Sequence, residues 1–219
     1  MSEALQISTI VSELFEENCF IVWLKGNKEA IAIDPGLDPP AILQELSDRK
    51  LNVAAILNTH GHADHIAGNA ALKQIFPTAP LIIGQGDAHM LSDADANLSA
   101  PFGMRLQSPP ADRLISEGDI VEAAGIRLEV VDLPGHSPGH VIFIYRSRPI
   151  VVFGGDVLFR GSIGRTDFFN SRPDLFIPGI HRKVLTLPPD TIVYPGHGPL
   201  TTVGYERDTN PFLQGTSQN

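Results

Sequence analysis

A chain of 219 residues, 42% hydrophobic and 19% charged, has enough apolar material for a packed core, and no block of like charge marks it as disordered. A net charge of −9 argues against a nucleic-acid partner, because phosphate binding needs a basic face; Arg160, Arg165, Arg172, Arg182 and Lys183 are the one basic cluster, and they suit a small anionic substrate equally well. A single cysteine excludes an internal disulfide, and with neither a basic-then-apolar leader nor an apolar run of the about 18 residues that cross a bilayer, the expectation is a soluble, cytoplasmic protein without membrane contact.

In chain order, the run 19–24 reads as a strand in which Cys19 is a small buried hydrophobe. A strand at 30–33 is followed by a helix over 39–49, which opens on prolines and carries Ile42, Leu43 and Leu46 on one side. Then come a strand at 53–57, a helix over 66–76 with Ala70, Leu72 and Ile75 as its buried stripe, a strand at 81–83 and a weak helix over 86–97. Strands follow at 126–131, 141–145 and 150–153, then a helix over 174–185 with Pro178 near its start, and a last strand at 191–194. There is no repeat and no linker, so residues 1–219 read as one domain. The order of elements predicts mixed sheets with helices, not a purely alternating parallel sheet.

Four of these strands end alike. The strand at 53–57 runs into Asn58-Thr-His-Gly-His-Ala-Asp-His65, 126–131 into Asp132-Leu-Pro-Gly-His136, 150–153 into Gly154-Gly-Asp156, and 191–194 into Pro195-Gly-His197. Each end displays a His or Asp on a polar or glycine-bearing turn, and such ends can converge on one cavity. His60 and His62, two apart in extended chain, point to one side and can hold one ion together; Asp64 and His65, at the turn into the next helix, can face a second point nearby. Imidazole and carboxylate suit zinc, iron or manganese. His60, His62, Asp64, His65, His136, Asp156 and His197 are thus the candidate ligands of two divalent metal ions, zinc first and iron or manganese as alternatives. His89 and His181 read as ordinary structural or surface residues. His140 supports the ligands or packs behind them, and Asp34 is an acceptor behind them.

At these motifs the sequence resembles the metallo-β-lactamase superfamily, and within it the glyoxalase II-like hydrolases, through Gly154-Gly-Asp-Val-Leu-Phe-Arg160, Gly164-Arg-Thr-Asp-Phe168 and Gly196-His-Gly-Pro-Leu-Thr-Thr202 with Asn210-Pro-Phe-Leu213. The resemblance implies an α/β fold, a four-layer αββα sandwich of two mixed sheets flanked by helices. It implies that His60, His62 and His136 hold one ion, that Asp64, His65 and His197 hold the other, and that Asp156 bridges them. It also implies hydrolysis of a thioester such as a hydroxyacyl-glutathione by a metal-bridging hydroxide, with Asp64 orienting the attacking water. Full glyoxalase II enzymes continue into a helical domain that helps hold glutathione, and with only 22 residues after His197 (219 − 197 = 22) that domain is not expected here.

Arg165 and Asp167 are read either as an ion pair fixing the loop after Asp156 or, for Arg165, as a contact to a substrate carboxylate. The alternative function is a persulfide dioxygenase with one iron on His60, His136 and Asp156, which the same Gly164–Phe168 segment resembles. Physiological metal, acyl group and oligomeric state stay open.

Overall fold

The computed structural model describes residues 4–214. The first sheet is built from β1 (Leu5–Val11), β2 (Asn18–Leu24), β3 (Glu29–Ile33), β4 (Asn52–Asn58), β5 (Leu81–Gly84) and β6 (Arg113–Ile115), side by side in that order. β1 to β3 are antiparallel neighbours, whereas β3 to β6 run parallel. Between them lie α1 (Pro39–Arg49), α2 (Ala63–Ile66), α3 (Asn69–Ile75) and two 3-10 turns, Gln85–Leu91 and Ala100–Phe102.

The second sheet orders β7 (Ile120–Ala123), β8 (Ile126–Asp132), β9 (Val141–Tyr145), β10 (Val151–Gly155), β13 (Ile192–Pro195) and β14 (Thr201–Thr202). Only β10 and β13 pair in parallel, across a connection holding the hairpin of β11 (Leu158–Phe159) and β12 (Ser162–Ile163) and then α4 (Pro173–Lys183). α5 (Val203–Thr209) follows the last strand.

Side-chain alternation explains the layering. Phe20 and Val22 of β2, Ile31 and Ile33 of β3 and Leu57 of β4 meet Leu128, Val130, Phe143 and Phe153 of the second sheet in a central core. Cys19 and Ile21, Ala30 and Ala32, and Leu81 and Ile83 face the other way, onto Ile42, Leu46, Ile66 and Leu72 of the first helical layer. Ile142, Ile144, Val152 and Val193 likewise face Phe176 and Ile180 of α4. Three apolar interfaces therefore separate four layers, which is the αββα sandwich expected from the resemblance. Among the described residues no helix is long and apolar enough to cross a membrane.

The predicted central strands and the first and last predicted helices are present within a residue or two. α1 starts where Asp38 Oδ1 accepts the Ala41 amide proton at 3.3 Å and ends at left-handed Lys50. Two helices differ. The helix predicted over 66–76 is interrupted, because the Gly68 amide donates to Pro35 O at 2.7 Å; α2 starts earlier and α3 resumes at Asn69. The stretch 86–97 is a 3-10 turn followed by irregular turns, held by Asn97 Nδ2 on Met90 O and Leu106 O. β1, β6, β7, the short pairs β11–β12 and β14, and α5 were not expected. The shortest of these are two or three residues long and exist through pairing with a neighbour.

Candidate metal centre

Each predicted ligand follows a strand end. β4 stops at Asn58 and hands over to Thr59-His60-Gly61-His62, and α2 then turns Asp64 and His65 inward. His136 follows β8, Asp156 follows β10 directly and His197 follows β13. The fold brings all seven together: His60, His62 and His136 offer donor atoms within 4.8 Å of one another, as do His60, His65 and Asp156, and Asp64, His65 and His197. Asp156 lies between the outer sets. Its Oδ2 is 3.4 Å from His136 Nε2 and 3.7 Å from His197 Nε2, and its Oδ1 is 3.4 Å from His65 Nε2.

These residues fit metal ions. The Nε2 atoms of His60, His62, His65 and His136 and Oδ1 of Asp156 are buried without a hydrogen-bond partner. Leaving such atoms unpaired is costly unless a cation takes them. Two donors about 2.1 Å from one tetrahedral ion lie about 3.4 Å apart, close to the 3.4 Å between Asp156 and the Nε2 atoms of His65 and His136 and the 3.3 Å between Asp64 and His197. In four of the five histidines the opposite ring nitrogen is committed. His65 Nδ1 is 3.2 Å from Asp34 Oδ2, His136 Nδ1 donates to Arg165 O at 2.8 Å, and His197 Nδ1 donates to Phe15 O at 3.0 Å. His60 Nδ1 is 3.1 Å from Thr59 Oγ1, which donates onward to Asp34 Oδ2 at 2.7 Å. A proton on each Nδ1 leaves the Nε2 lone pair free, the arrangement a ligating imidazole needs.

Asp34 therefore acts behind the ligands, also accepting the Thr59 amide proton at 2.7 Å. His140 does so too: its ring stacks on His60 at 4.7 Å, and its Nε2 accepts the Asp156 amide proton at 3.1 Å. Arg165 forms a two-pronged pair with Asp167 at 2.8 and 2.9 Å and lies over the Phe168 ring. The glycines are spatial requirements. A Cβ on Gly196 would sit 2.2 Å from Asp156 Oδ1, and one on Gly155, at φ +47°, would sit 2.3 Å from Thr59 Oγ1.

Sequence reasoning missed three groups. Buried Asp87 accepts from the Gly61 amide at 3.0 Å, Ser137 Oγ at 2.6 Å and the Gly139 amide at 2.5 Å. Glu17 is buried with neither carboxyl oxygen partnered, in the space left by the missing Cβ of Gly36. Asn18 Nδ2 donates to Pro195 O and Gly198 O, both at 2.9 Å, and pins the His197 loop. An acidic or amide side chain that serves backbone groups, as Asp87 and Asn18 do, or that is buried without a partner, as Glu17 is, has no spacing signature, so nothing in the sequence singled these out.

Electrostatics follow from burial and crowding. Burial pushes His60, and His62 to about 3, away from the charged form, and neighbouring imidazoles add to it. Burial opposes ionisation of Asp156 and Asp64 as well, but His65, with His136 or His197, outweighs it and holds both carboxyls below their ordinary range. For His65 burial favours the neutral ring, yet Asp64 and Asp156 prevail and raise its pKa. Burial, reinforced by Asp34, Asp64 and Asp156, drives the Glu17 carboxyl well up.

A cleft of about 510 Å³ opens above this centre, with His62, Asp64, His136, Asp156 and His197 at its floor.

The profile of the metallo-beta-lactamase superfamily matches residues 13–197. The chain is 36% identical over 215 residues to the hydroxyacylglutathione hydrolase GloC of Haemophilus influenzae, covering 97% of this chain and 100% of that protein. The crystal structure of the BLEG-1 B3 metallo-beta-lactamase superposes with a TM-score of 0.91 at 38% identity, over 96% of this chain and 100% of that one. TTHA1623 in a di-iron-bound form superposes with a TM-score of 0.82 at 36% identity, over 94% of this chain and 100% of its own. Profile, relatives and strand-end ligands agree: the chain belongs to the metallo-β-lactamase superfamily of metal-dependent hydrolases.

Proposed function

We propose that this protein hydrolyses a thioester such as a hydroxyacyl-glutathione, using two divalent metal ions held by the His/Asp cluster. The observation that carries the reading is the position of Asp156, whose oxygens lie 3.4–3.7 Å from Nε2 of His136 on one side and of His65 and His197 on the other. His60, His62 and His136 would hold one ion, Asp64, His65 and His197 the second, and Asp156 both. The identity to a hydroxyacylglutathione hydrolase supports the thioester, and the di-iron form of a 36% identical neighbour supports a two-metal site. Zinc is the proposed metal, with iron or manganese as alternatives.

Bound divalent cations would supply Lewis acidity toward the thioester carbonyl and a water acidified to a pKa of about 7. The rest falls to the chain. Asp64 contacts His197 through Oδ2, at 3.3 Å, and lines the cleft, so its other oxygen would accept a hydrogen bond from the attacking water and aim it. The Nδ1 anchors at Phe15, Arg165 and Asp34 keep the imidazoles from turning as charge builds. Among the described residues lining the cleft, none outside the candidate ligands is an acid for a leaving group; Asn97, its amide, is spent on Met90 and Leu106. That suits a thiolate, which departs unprotonated, better than an amine.

The test is purified protein with its metal counted, reloaded with zinc, iron or manganese, and assayed on S-lactoylglutathione, other thioesters, a lactone, a β-lactam and glutathione persulfide. Thioester turnover with two ions per chain is expected. One iron per chain with oxygen uptake on the persulfide would instead establish the dioxygenase, and a β-lactam as the sole substrate would also overturn the reading.

A further inference from the structure

We infer that the cleft above the metal centre takes an apolar, uncharged substituent of the substrate, and that the carboxylates of a glutathione moiety contribute nothing to binding. The inference rests on the thioesterase reading above and narrows it to a substrate class.

The cleft walls come from separate parts of the chain and share one character. Phe15 stands on the β1–β2 turn, Leu98, Phe102 and Met104 on the segment around the second 3-10 turn, and Phe159 and Phe168 on the segment after Asp156. Phe15 and Phe102 meet edge to face at 5.4 Å and close one wall. Phe168 lies edge-on to His62 at 5.2 Å and to His136 at 5.7 Å, and Phe159 lies 6.0 Å from His197. The apolar wall therefore begins at the ligand imidazoles, so a substituent on the reacting carbon or sulfur enters it without crossing a polar zone. Its mouth leaves Phe102 64% exposed and Met104 37% exposed, apolar area that a bound chain would cover. A volume of about 510 Å³ matches a small organic group.

Charge points the same way. Arg165 is the one Lys or Arg among the described residues lining the cleft; its Nε and one Nη donate to Asp167, and its face is stacked on Phe168. A substrate carboxylate would share a guanidinium whose charge Asp167 already offsets, through the Nη1 edge that Asp167 leaves open. The chain's net charge of −9 adds no attraction for an anion.

Two homologous series on metal-loaded protein test this: acyl chains from acetyl to octanoyl on N-acetylcysteamine, and S-alkyl chains of the same lengths on an acetyl group. The matched pair S-lactoylglutathione and S-lactoyl-N-acetylcysteamine completes the set. We expect kcat/KM to climb by about fourfold per buried methylene in one series, which also tells which half occupies the cleft. The lactoyl pair should agree within about threefold. Calorimetric binding of non-hydrolysable S-alkyl thioethers gives the same slope without turnover, and Phe102→Ser, an exposed position, should flatten it while Phe102→Leu restores it. If turnover occurs with no chain-length slope in either measurement, or the glutathione ester is preferred more than about tenfold, the inference fails and the thioesterase stands. If no thioester is cleaved but thioether binding climbs with length, the thioesterase fails and the apolar cleft stands. If neither turnover nor a slope is seen, both fail.

Discussion

Asp87 takes no part in the proposed ligand set, yet it joins the loop of His60 and His62 to the loop of His136. Its carboxylate accepts from Gly61 on the first-sheet side and from Ser137 and Gly139 on the second-sheet side. Burial lifts its pKa above the ordinary carboxylate value, and the three donors only partly offset that. An amide cannot reproduce this pattern, because its nitrogen would face a backbone N–H. Asp87→Asn should therefore weaken metal binding by about 10- to 100-fold while circular dichroism stays that of a folded protein. Chelator competition measures it, and unchanged affinity would remove Asp87 from any part in placing the imidazoles. The contrast with the candidate ligands shows what a sequence can carry at this scale. His60, His62, Asp64 and His65 are dense and of ligating type, so their spacing speaks for itself. Asp87 and Glu17 act through backbone groups or an unpartnered burial, and many isolated acidic residues look the same from sequence.

At the scale of elements, the turn between β1 and β2 is tied to the last loop of the site. Besides the Asn18 side chain on Pro195 and Gly198, the Asn18 amide donates to Gly196 O at 2.7 Å. Asn18→Ala leaves two carbonyls without their donor and should cost about 1–3 kcal/mol of stability. For a chain of this size that is about 2–4 °C in Tm per kcal/mol. The same change should lower occupancy of the ion assigned to Asp64, His65 and His197 before that of the ion assigned to His60, His62 and His136. Metal analysis after dialysis reads the difference, and equal loss from both positions would argue against separate anchoring of the His197 loop. Strands buried on both faces, such as β2, β3, β4 and β10, were legible because they read as nearly continuous apolar runs. β1 is only partly buried, with polar Gln6, Ser8 and Thr9 among its apolar residues, and its place depends on pairing with β2. The helix predicted over 66–76 failed at Gly68 because a contact to Pro35, distant in sequence, outcompeted the local helical bond.

For the molecule as a whole, the cluster makes stability and metal loading depend on pH. In the metal-free protein His65 keeps its proton above the ordinary imidazole value, because Asp64 and Asp156 outweigh burial. That contribution is complete below the unfolded value of about 6.5 and is lost as pH rises through the folded value. Asp64 and Asp156, held low, contribute above about 3.9 and lose it as pH falls through their folded values. A metal ion needs the His65 nitrogen unprotonated, so loading releases protons and tightens as pH rises toward the raised folded value of His65. Calorimetry in two buffers of different ionisation enthalpy should show proton release; identical apparent enthalpies would contradict it.

The link between Phe15 and His197, which are 182 positions apart, also orders events in time. As the polypeptide leaves the ribosome, His60, His62 and His136 are all present once His136 has emerged, whereas Asp64 and His65 wait for β13 to dock beside β10 and for His197 to be fastened to the β1–β2 turn. A nascent chain halted between His136 and Asp156 can offer a cation three imidazoles without the Asp156 carboxylate, so the second of the proposed ions waits for the later strand ends.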